Sequence, residues 1–277
     1  MADNIHCGCR LLQRIGRGGT AAVYLGVRLS DGLLVAVKEI ESEKTEVSAM
    51  AELRMAQKFH HPALPHIYSA GQENGRIYIV MDYVEGIPLE KLLREKGAQP
   101  QETVLEWSRQ LCRVLDYLHG FSPPVIYRDL KPSNMILQKN GRIKLVDFGT
   151  ARVYDRSKRQ DTQPLGTPGY AAPEQYRKDR QSDARTDIYC LGVTMYHMLT
   201  GHDPSRPPYK ICGIREWNRE LSPELERIVR KCTRKNPRWR YQSCRALLGD
   251  LEALDKRKAQ QAGNNLLGRL KNFLLPG

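Results

Sequence analysis

The sequence lacks any long apolar segment. No uninterrupted apolar run approaches the roughly 20 residues that a membrane span needs, and the N-terminal stretch MADNIHCGCR has no signal-like apolar core. These two features predict a cytoplasmic protein. Its 277 residues, 40% hydrophobic and 27% charged, can bury a core as one large domain or two small ones.

The patterns typical of disulfide-rich and zinc-binding proteins are also missing. Seven cysteines stand at scattered positions, and an odd, scattered set argues against a disulfide framework. Cys7 and Cys9 are close, but no second pair of Cys or His residues completes a zinc site. We expect reduced, mostly buried thiols.

Acidic residues are comparatively few. There are 31 Asp and Glu against 44 Lys and Arg, which gives a formal net charge of +13. Such an excess favours acidic partners, anionic lipid surfaces or nucleic acid through long-range attraction. The basic residues are spread along the whole chain, however, without interleaved aromatic residues or a nucleic-acid motif. A solvated basic surface is therefore favoured, and we expect no nucleic-acid site.

The first 84 residues alternate as β-strands do. The turns between the runs include Asp31-Gly32, a strong hairpin signal, and Asn74-Gly75. A helix is predicted over residues 43–59, ended by His60-His61-Pro62. The strand-like runs are RLLQRIG, AAVYLGVRL, LLVAVKEI, ALPHIYSAGQ and RIYIVMDYV. The pattern predicts a small sheet with one helix.

After Gly86 the periodicity becomes helical. LEKLLREKG predicts a short helix, and ETVLEWSRQLCRVLDYLHG predicts a longer one that stops at Gly120. DIYCLGVTMYHMLTG is apolar nearly all round, which predicts a buried helix. Ser222-Pro223 begins another helix, and residues 240–254 predict the last. We expect an α+β, bilobal fold with a β-rich N-lobe over residues 8–84 and a mainly helical C-lobe over residues 85–255.

A glycine-rich turn, IGRGGTAAVYLG, lies between two strand-like runs. Such a turn lets backbone N–H groups approach phosphates, although glycine-rich hairpins are common and the signal is weak by itself. The turn lacks the strand-to-helix context and the GK[ST] ending of a P-loop, so that route to phosphate binding is excluded.

Lys38 follows two alternating valines in VAVK, which puts its side chain on the inward face with Ala36. A buried lysine is costly unless it is paired. Glu52 projects from a stripe of small apolar residues on the following helix and is the preferred partner, with Glu46 as the alternative.

Five motifs follow one another along the chain: Gly16-x-Gly18, VAVK with Lys38, YRDLKPSN, Asp147-Phe148-Gly149 and Ala172-Pro173-Glu174. Their order and approximate spacing resemble those of the protein kinases. The segments YIVMDYVEG and GTPGYAAPEQY are similar to the corresponding sequence motifs of the bacterial Hanks-type (eukaryotic-type) serine/threonine kinases. The resemblance covers roughly residues 8–255, and it implies an ATP- and Mg²⁺-dependent protein serine/threonine kinase.

The resemblance gives a role to each charged residue within VIYRDLKPSNMIL. Asp129 would accept or orient the proton of the attacking hydroxyl group, and Lys131 would steady the γ-phosphoryl group. Asn134 would hold a Mg²⁺ ion. Phosphoryl transfer depends on positioning and on neutralising anionic oxygens, which a charged loop between two apolar segments can supply.

Two further implied roles concern the phosphates. Asp147 would hold the metal that bridges them, and Lys38, paired with Glu52, would grip the α- and β-phosphates.

The resemblance places an adenine slot at the crossing between the lobes. Met81 would be its gatekeeper, and the backbone of Asp82 and Val84 would meet the adenine edge. An ordinary apolar core is the alternative for these positions. The residues implied for nucleotide binding are Ile15, Gly16, Gly18, Gly19, Val23, Ala36, Lys38, Met81, Asp82, Val84 and Ile136.

The chain departs from the family pattern at two positions. Ala21 stands where a loop glycine is expected, and Tyr127 stands where a histidine is expected. Ala21 adds one methyl group, and Tyr127 would pack as an apolar core residue under Phe148. Neither change removes a charged group.

Other implied contacts concern the segment that leads to APE. Lys131 and GTPGY are the forms seen in serine/threonine kinases, and Thr167 would link to Asp129 and Lys131. Glu174 would pair with Arg240, and Asp187 would anchor the backbone of the catalytic loop; a surface position is the alternative for Arg240 and Asp187.

The stretch RVYDRSKRQDTQPLGT between DFG and APE predicts regulation. A phosphate on Thr162 could pair with Arg128 and order this stretch, and Ser157 is a second candidate. A solvated loop is the alternative. We also expect protein substrates, and self-association that would allow autophosphorylation between two copies.

The tail, residues 256–277, is basic and amphipathic, with contact to a membrane surface as one possibility and packing on its own domain as the favoured one. Three rival functions stay open. They are a nucleotide-binding pseudokinase or signalling scaffold, a small-molecule phosphotransferase, and a basic nucleic-acid scaffold. The complete set of implied catalytic residues and the GTPGYAAPE segment disfavour the first two.

Overall fold

The computed structural model describes residues 5–17, 21–41, 56–155, 166–177, 179–207 and 209–254. Most of the helix predicted for residues 43–59 therefore lies outside the described residues, as do Glu46, Glu52, Gly18, Gly19, Ser157, Thr162 and the tail. The chain divides into two compact units. The first comprises residues 1–89 and 133–151, and the second comprises residues 90–132 and 152–277.

Strands dominate the first unit. Its main sheet has six antiparallel strands in the order β1-β2-β3-β4-β6-β5. A second sheet joins β10, β9 and β7, while β8 pairs with β11 in the second unit. The strands are β1 (Ile5–His6), β2 (Cys9–Arg17), β3 (Ala21–Arg28), β4 (Leu34–Glu41), β5 (Ile67–Glu73), β6 (Arg76–Asp82), β7 (Ile87–Pro88), β8 (Val125–Ile126), β9 (Met135–Leu137), β10 (Ile143–Leu145) and β11 (Arg152–Val153).

Both predicted hairpins of the main sheet are confirmed. Gly32 has a φ of +75°, and the Asp31 carboxylate accepts a hydrogen bond from the backbone N–H of Leu33. Asn74 and Gly75 both have positive φ, at 52° and 73°, which a two-residue type I′ turn requires. The local chemistry of the turns thus determines the pairing of β3 with β4 and of β5 with β6.

The two faces of the main sheet differ. One face carries a buried apolar cluster. Each Å² of apolar surface removed from water there stabilises the fold by about 25 cal/mol. Its members are Cys9, Leu11, Val35, Val37, Tyr78 and Val80. Alternation along each strand sends their neighbours in sequence to the opposite face.

Helices dominate the second unit, which confirms the predicted α+β division into a β-rich and a helical lobe. Within the described residues no helix is both long and apolar enough to cross a bilayer. The helices are α1 (Leu89–Lys96), α2 (Gln101–His119), α3 (Ala184–Thr200), α4 (Ile214–Trp217), α5 (Pro223–Cys232) and α6 (residues 244–254).

Helix α3 is the core of the second unit, and nearly every residue along it is buried. Its N-cap is Asp183, whose carboxylate accepts a hydrogen bond from the backbone N–H of Arg185. Gly201 ends it in the left-handed conformation, with φ +69°. The prediction of a buried helix here is confirmed.

Helix α5 also begins as predicted. The Ser222 hydroxyl caps it by accepting a hydrogen bond from the N–H of Leu225, and Pro223 occupies the first turn. Glu224 and Glu226 lie in the first turn and Arg230 in the last, which complements the helix dipole.

The predicted start of the last helix is wrong. We expected it at Arg240, but α6 begins at residue 244. Arg240 instead has extended backbone with φ −84° and ψ 177°, because its buried guanidinium binds groups outside the helix. The Ser243 hydroxyl accepts a hydrogen bond from the N–H of Ala246 and caps the observed helix.

The thiols have the predicted state. All seven cysteines are free, five of them buried and two half-buried. Burial raises the pKa of Cys112, Cys190 and Cys244 well above the usual range, so these thiols stay protonated and act as small apolar core residues.

Candidate active site

Strand register brings one set of predicted nucleotide-binding residues to a single face of the main sheet. Val23 pairs with Gly16 on β2 and with Lys38 on β4. Ala36 pairs with Met81 on β6. Because residues two apart share a face, Val23, Ala36, Lys38 and Met81 all lie opposite the apolar cluster. The alternation in VAVK predicted this placement of Lys38 beside Ala36.

Glycine at position 16 is not required by the packing of the strands. A Cβ atom there would meet the Val23 Cβ at 3.6 Å, an ordinary contact. Ile15 next to it is exposed, whereas Ala36 and Met81 are buried. Strand packing alone therefore does not explain a glycine at position 16.

Lys38 binds the carboxylate of the DFG segment. Its Nζ donates to Asp147 Oδ1 at 2.6 Å, and the N–H of Gly149 donates to the same oxygen at 2.9 Å. A Cβ atom at position 149 would lie 3.1 Å from both Lys38 Nζ and Asp147 Oδ1, so a side chain there would press on the pair. The pairing of Lys38 with Glu52 stays a prediction, since Glu52 lies outside the described residues.

Asn134 and Asp147 lie at neighbouring ends of two paired strands. Leu145 on β10 pairs with Met135 on β9, and the N–H of Val146 donates to the Asn134 carbonyl at 3.0 Å. The residue just before β9 therefore lies across from the residues that lead into Asp147. The Asn134 side chain is buried, whereas the Asp147 side chain is 41% exposed.

The segment after β6 is held close to β9. Gly86 has φ +157°, and a Cβ atom there would lie 2.4 Å from the Leu137 carbonyl oxygen, so only glycine permits this approach. Pro88 pairs with Ile136. The N–H of Asp82 donates to the His66 carbonyl at 2.9 Å, so this N–H is not available to a ligand.

In the second unit, three predicted residues form one hydrogen-bonded cluster. The Thr167 hydroxyl donates to Asp129 Oδ1 at 2.7 Å and accepts from Lys131 Nζ at 2.5 Å. Lys131 Nζ also lies 2.8 Å from Asp129 Oδ2. The cluster places a carboxylate, an ammonium group and a threonine hydroxyl in mutual contact, as the resemblance implied.

Asp187 binds the backbone that carries this cluster. Its carboxylate accepts hydrogen bonds from the N–H groups of Tyr127 and Arg128, at 2.9 and 2.7 Å. His119 Nε2 lies 2.7 Å from the same carboxylate. Arg128 has φ +70°, a left-handed conformation that costs a non-glycine residue energy, and the buried Asp187 holds it in place.

Further polar contacts from α3 and its surroundings hold the same backbone, and the sequence patterns did not predict them. The Thr194 hydroxyl donates to the Leu130 carbonyl at 3.1 Å, and Gln175 Nε2 donates to the Arg128 carbonyl at 2.9 Å. Asp187 and Thr194 are seven residues apart and share one helix face. A polar pair at that spacing in an otherwise apolar helix is the signal that would have predicted the contact of Thr194.

A buried ion pair joins the APE segment to the segment before α6. Arg240 donates to both Glu174 oxygens, at 2.6 and 2.8 Å, and the two side chains are almost fully buried. Arg240 also donates to the carbonyls of Arg185, Arg234 and Lys235. The pair was implied by the resemblance, whereas the three carbonyl contacts were not.

The two departures from the family pattern lie at the start of a strand and in the buried core. Ala21 begins β3, and Tyr127 is fully buried. Phe148 packs against Phe59 with ring centroids 5.6 Å apart. The predicted packing of Tyr127 under Phe148 stays a prediction, as do the regulatory roles of Thr162 and Ser157 toward Arg128.

Comparison with protein-family models matches residues 9–250 to the protein kinase domain. The relatives include a probable serine/threonine-protein kinase of Streptomyces coelicolor, 34% identical over 264 residues that cover 86% of this chain and 38% of the relative. A probable serine/threonine-protein kinase of Clostridium perfringens is 32% identical over 269 residues, or 89% of this chain and 38% of the relative. Serine/threonine-protein kinase PknB of Mycobacterium tuberculosis is 30% identical over an alignment of 284 positions, gaps included, which covers 94% of this chain and 45% of the relative.

The chain thus spans about two fifths of the length of these curated relatives. The family match covers most of the β-rich unit and nearly all of the described helices. From this match, and from its similarity to bacterial serine/threonine-protein kinases, we conclude that the chain belongs to the protein kinase domain family and has the bilobal α+β protein kinase fold.

Proposed function

We propose that this protein is a serine/threonine protein kinase that transfers the γ-phosphoryl group of ATP to protein hydroxyl groups with the help of Mg²⁺. The observation that carries the proposal is the pair of charged clusters at the predicted positions. These clusters are the Lys38–Asp147 ion pair of the first unit and the Asp129–Lys131–Thr167 cluster of the second.

The donors of the first unit fit Mg²⁺. The ion prefers carboxylate and amide oxygens and usually takes only one or two protein ligands, with water and phosphate oxygens for the rest. Asp147 offers a half-exposed carboxylate, and Asn134 lies across the strand ends from it. Bound Mg²⁺ would neutralise phosphate oxygens. Lys38 Nζ and the N–H of Gly149 both donate to Oδ1 of Asp147.

The same face of the sheet fits a nucleotide. Val23, Ala36 and Met81 supply an apolar surface beside Lys38, whose charge suits the α- and β-phosphates. Gly16, where the strands do not need glycine, leaves room for phosphate oxygens to approach the backbone.

The cluster of the second unit fits the hydroxyl substrate. Asp129 would accept or orient the proton of the attacking serine or threonine hydroxyl. Its contact with the Thr167 hydroxyl supports this role, because that contact is a hydroxyl group donating to the carboxylate. Lys131, 2.8 Å from Asp129, would steady the transferred group.

Activation by autophosphorylation belongs to the same proposal. Ser157 and Thr162 lie in a basic stretch of sequence between DFG and APE, and Arg128 precedes Asp129. A phosphate in that stretch would form charge-assisted hydrogen bonds with arginine. Protein substrates and pairing of two copies follow from this proposal.

The test is phosphorylation by purified protein incubated with Mg²⁺ and ATP, mapped by mass spectrometry. We expect phosphoserine or phosphothreonine in the wild type and none in Asp129→Asn, which keeps the shape of the side chain but loses the charge. Removal of Mg²⁺ by a chelator should abolish the reaction. Thr162→Ala should slow it if this threonine is the switch.

A second measurement separates the rival function. If neither the wild type nor Asp129→Asn gains phosphate while ATP still raises the thermal unfolding midpoint, the chain is a nucleotide-binding pseudokinase or scaffold. The proposal is then wrong. Asp179→Asn is the matched control, because Asp179 pairs with Arg177 on the surface and should leave phosphorylation unchanged.

A further inference from the structure

A concave basic surface lies at the C-terminal end of α5, on the second unit. The depression has a volume of about 550 Å³. Its lining residues are Arg227, Arg230, Lys231, Arg234 and Trp239, none of which is acidic. None of the contacts of the Asp129 cluster described above involves them. We call this surface the α5 basic pocket.

The cations of the α5 basic pocket are only partly neutralised. Arg227 pairs with Glu224 at 3.0 Å and Arg230 pairs with Glu226 at 2.8 Å, both one turn back along α5. Lys231 Nζ lies 3.8 Å from the centroid of the Tyr241 ring, a contact that leaves its charge in place. Within the part of the chain that the structure describes, Arg234 makes no ion pair with a carboxylate.

The loop that completes the α5 basic pocket is rigid. Arg240 donates to the carbonyls of Arg234 and Lys235, at 2.7 and 3.1 Å. The Asn236 side chain caps the short helix that carries Trp239. A firmly held loop nevertheless leaves the Trp239 side chain 67% exposed beside four cations. A large aromatic ring in such a place is typical of a recognition surface.

The chemistry of the α5 basic pocket favours a phosphoryl group. Three of its four cations are arginines, whose planar guanidinium groups bind phosphate oxygens in pairs. A phosphate monoester carries close to two negative charges at neutral pH, which matches the two cations without a carboxylate partner. Residues 256–277 of the same chain lack the negative charge that this pocket favours, because they carry five basic residues and no acidic one.

We propose that the α5 basic pocket is a docking site for a phosphorylated serine or threonine on a protein segment, separate from the active site. The proposal rests on the proposed function in one respect, since a serine/threonine kinase is what supplies such segments. A site of this kind would retain a phosphorylated product or recruit a substrate that already carries one phosphate. The Trp239 ring would lie against the bound segment.

The experiment is direct binding in the absence of ATP, so that it is independent of catalysis. The probe is a synthetic peptide with one phosphothreonine, and the readout is the fluorescence of Trp239 together with titration calorimetry. Trp107 is buried, and Trp217, although 51% exposed, is outside the lining of the pocket, so we expect Trp239→Phe to remove the fluorescence change but keep most of the heat.

Arg234→Gln should weaken binding at least about tenfold, because hydrogen bonds to charged groups are the strong ones. It should fold normally, since Arg240 uses the carbonyl of residue 234 and not its side chain. Arg238→Gln is the matched control. It removes one charge from the same loop, outside the lining, and should keep binding within about twofold of wild type.

Three results would overturn the proposal. The first is equal affinity for the phosphopeptide and for a peptide with glutamate at the same position. The second is binding of anionic lipid vesicles or duplex DNA without binding of the phosphopeptide. The third is an equal loss of phosphopeptide affinity in Arg234→Gln and Arg238→Gln, which would mean that the net charge of the loop alone attracts the peptide. Loss of ATP turnover with intact phosphopeptide binding would instead count against the proposed function alone.

Discussion

The two units hold their charged residues in opposite ways. In the first unit the Asp147 side chain is 41% exposed, and strand register places its partner Lys38 beside buried apolar residues. In the second unit Asp187 is fully buried and Arg240 and Glu174 nearly so, and each accepts or donates several hydrogen bonds.

This difference separates two kinds of charge. Asp147, which is proposed to meet a ligand, keeps part of its carboxylate accessible and should contribute little to stability. A carboxylate that holds backbone in a strained conformation has to be buried, and its loss leaves N–H groups without a partner. The following substitutions test that division through the free energy of unfolding.

The largest effect should come from Asp187→Ala. The change leaves the buried N–H groups of Tyr127 and Arg128 without their acceptor, at a cost of about 3–5 kcal/mol. Chemical denaturation of both proteins measures the difference. Asp179→Ala, at an exposed ion pair, should change the free energy of unfolding far less, and equal losses would contradict the division.

A smaller, pH-dependent effect should come from His197, which is buried in α3 with Nδ1 2.5 Å from the Tyr170 hydroxyl. Burial lowers the pKa of His197 to about 4, against an opposing contribution from Asp203 and further lowering by His202 and Arg206. Between pH 4 and 6.5 the unfolded chain therefore binds more protons, so stability is full above about pH 6.5 and falls as the pH drops toward 4.

His197→Gln keeps a hydrogen-bonding side chain but cannot titrate. Over that pH range the wild type should lose about 2–3 kcal/mol more than the variant. Unfolding curves at several pH values measure the two slopes, and parallel slopes would show that the His197 ring is hydrated in solution.

Lys38→Met should change stability by about 1 kcal/mol or less, since Met keeps the apolar stem and Asp147 can be hydrated. Phosphoryl transfer should nevertheless fall at least about a hundredfold, because the variant loses a cation that stabilises phosphate charge. Denaturation and turnover, measured on the same preparation, separate the two quantities. A loss of several kcal/mol would mean that the pair supports the fold.

The smallest effect should come from Lys139→Gln. Lys139 and Glu85 lie 2.7 Å apart but are 88% and 69% exposed, and the ion pair lowers the pKa of Glu85. Such surface pairs contribute little to the free energy of unfolding, and less in high salt, so the variant should unfold almost like the wild type. A midpoint shift that grows with added salt would be contrary to this expectation.

Much of this arrangement could be predicted from the sequence because the relevant signals are local. The alternation in VAVK places Lys38 with Ala36, and Asn74-Gly75 determines a turn whatever packs around it. The start of α6 could not be predicted in the same way. Helical periodicity continues through Arg240, but the partners of its guanidinium lie up to 66 residues away.

The sequence by itself determined the motif order, the turns, the strand faces and the helices that are apolar all round, since each depends on neighbouring residues and a period of 2 or 3.6. Only the tertiary structure decided that His119 binds the Asp187 carboxylate, that Thr194 reaches the same loop and that Arg240 leaves the helix. Buried polar groups take whichever partner the folded chain brings within about 3 Å, and no local pattern encodes that distance.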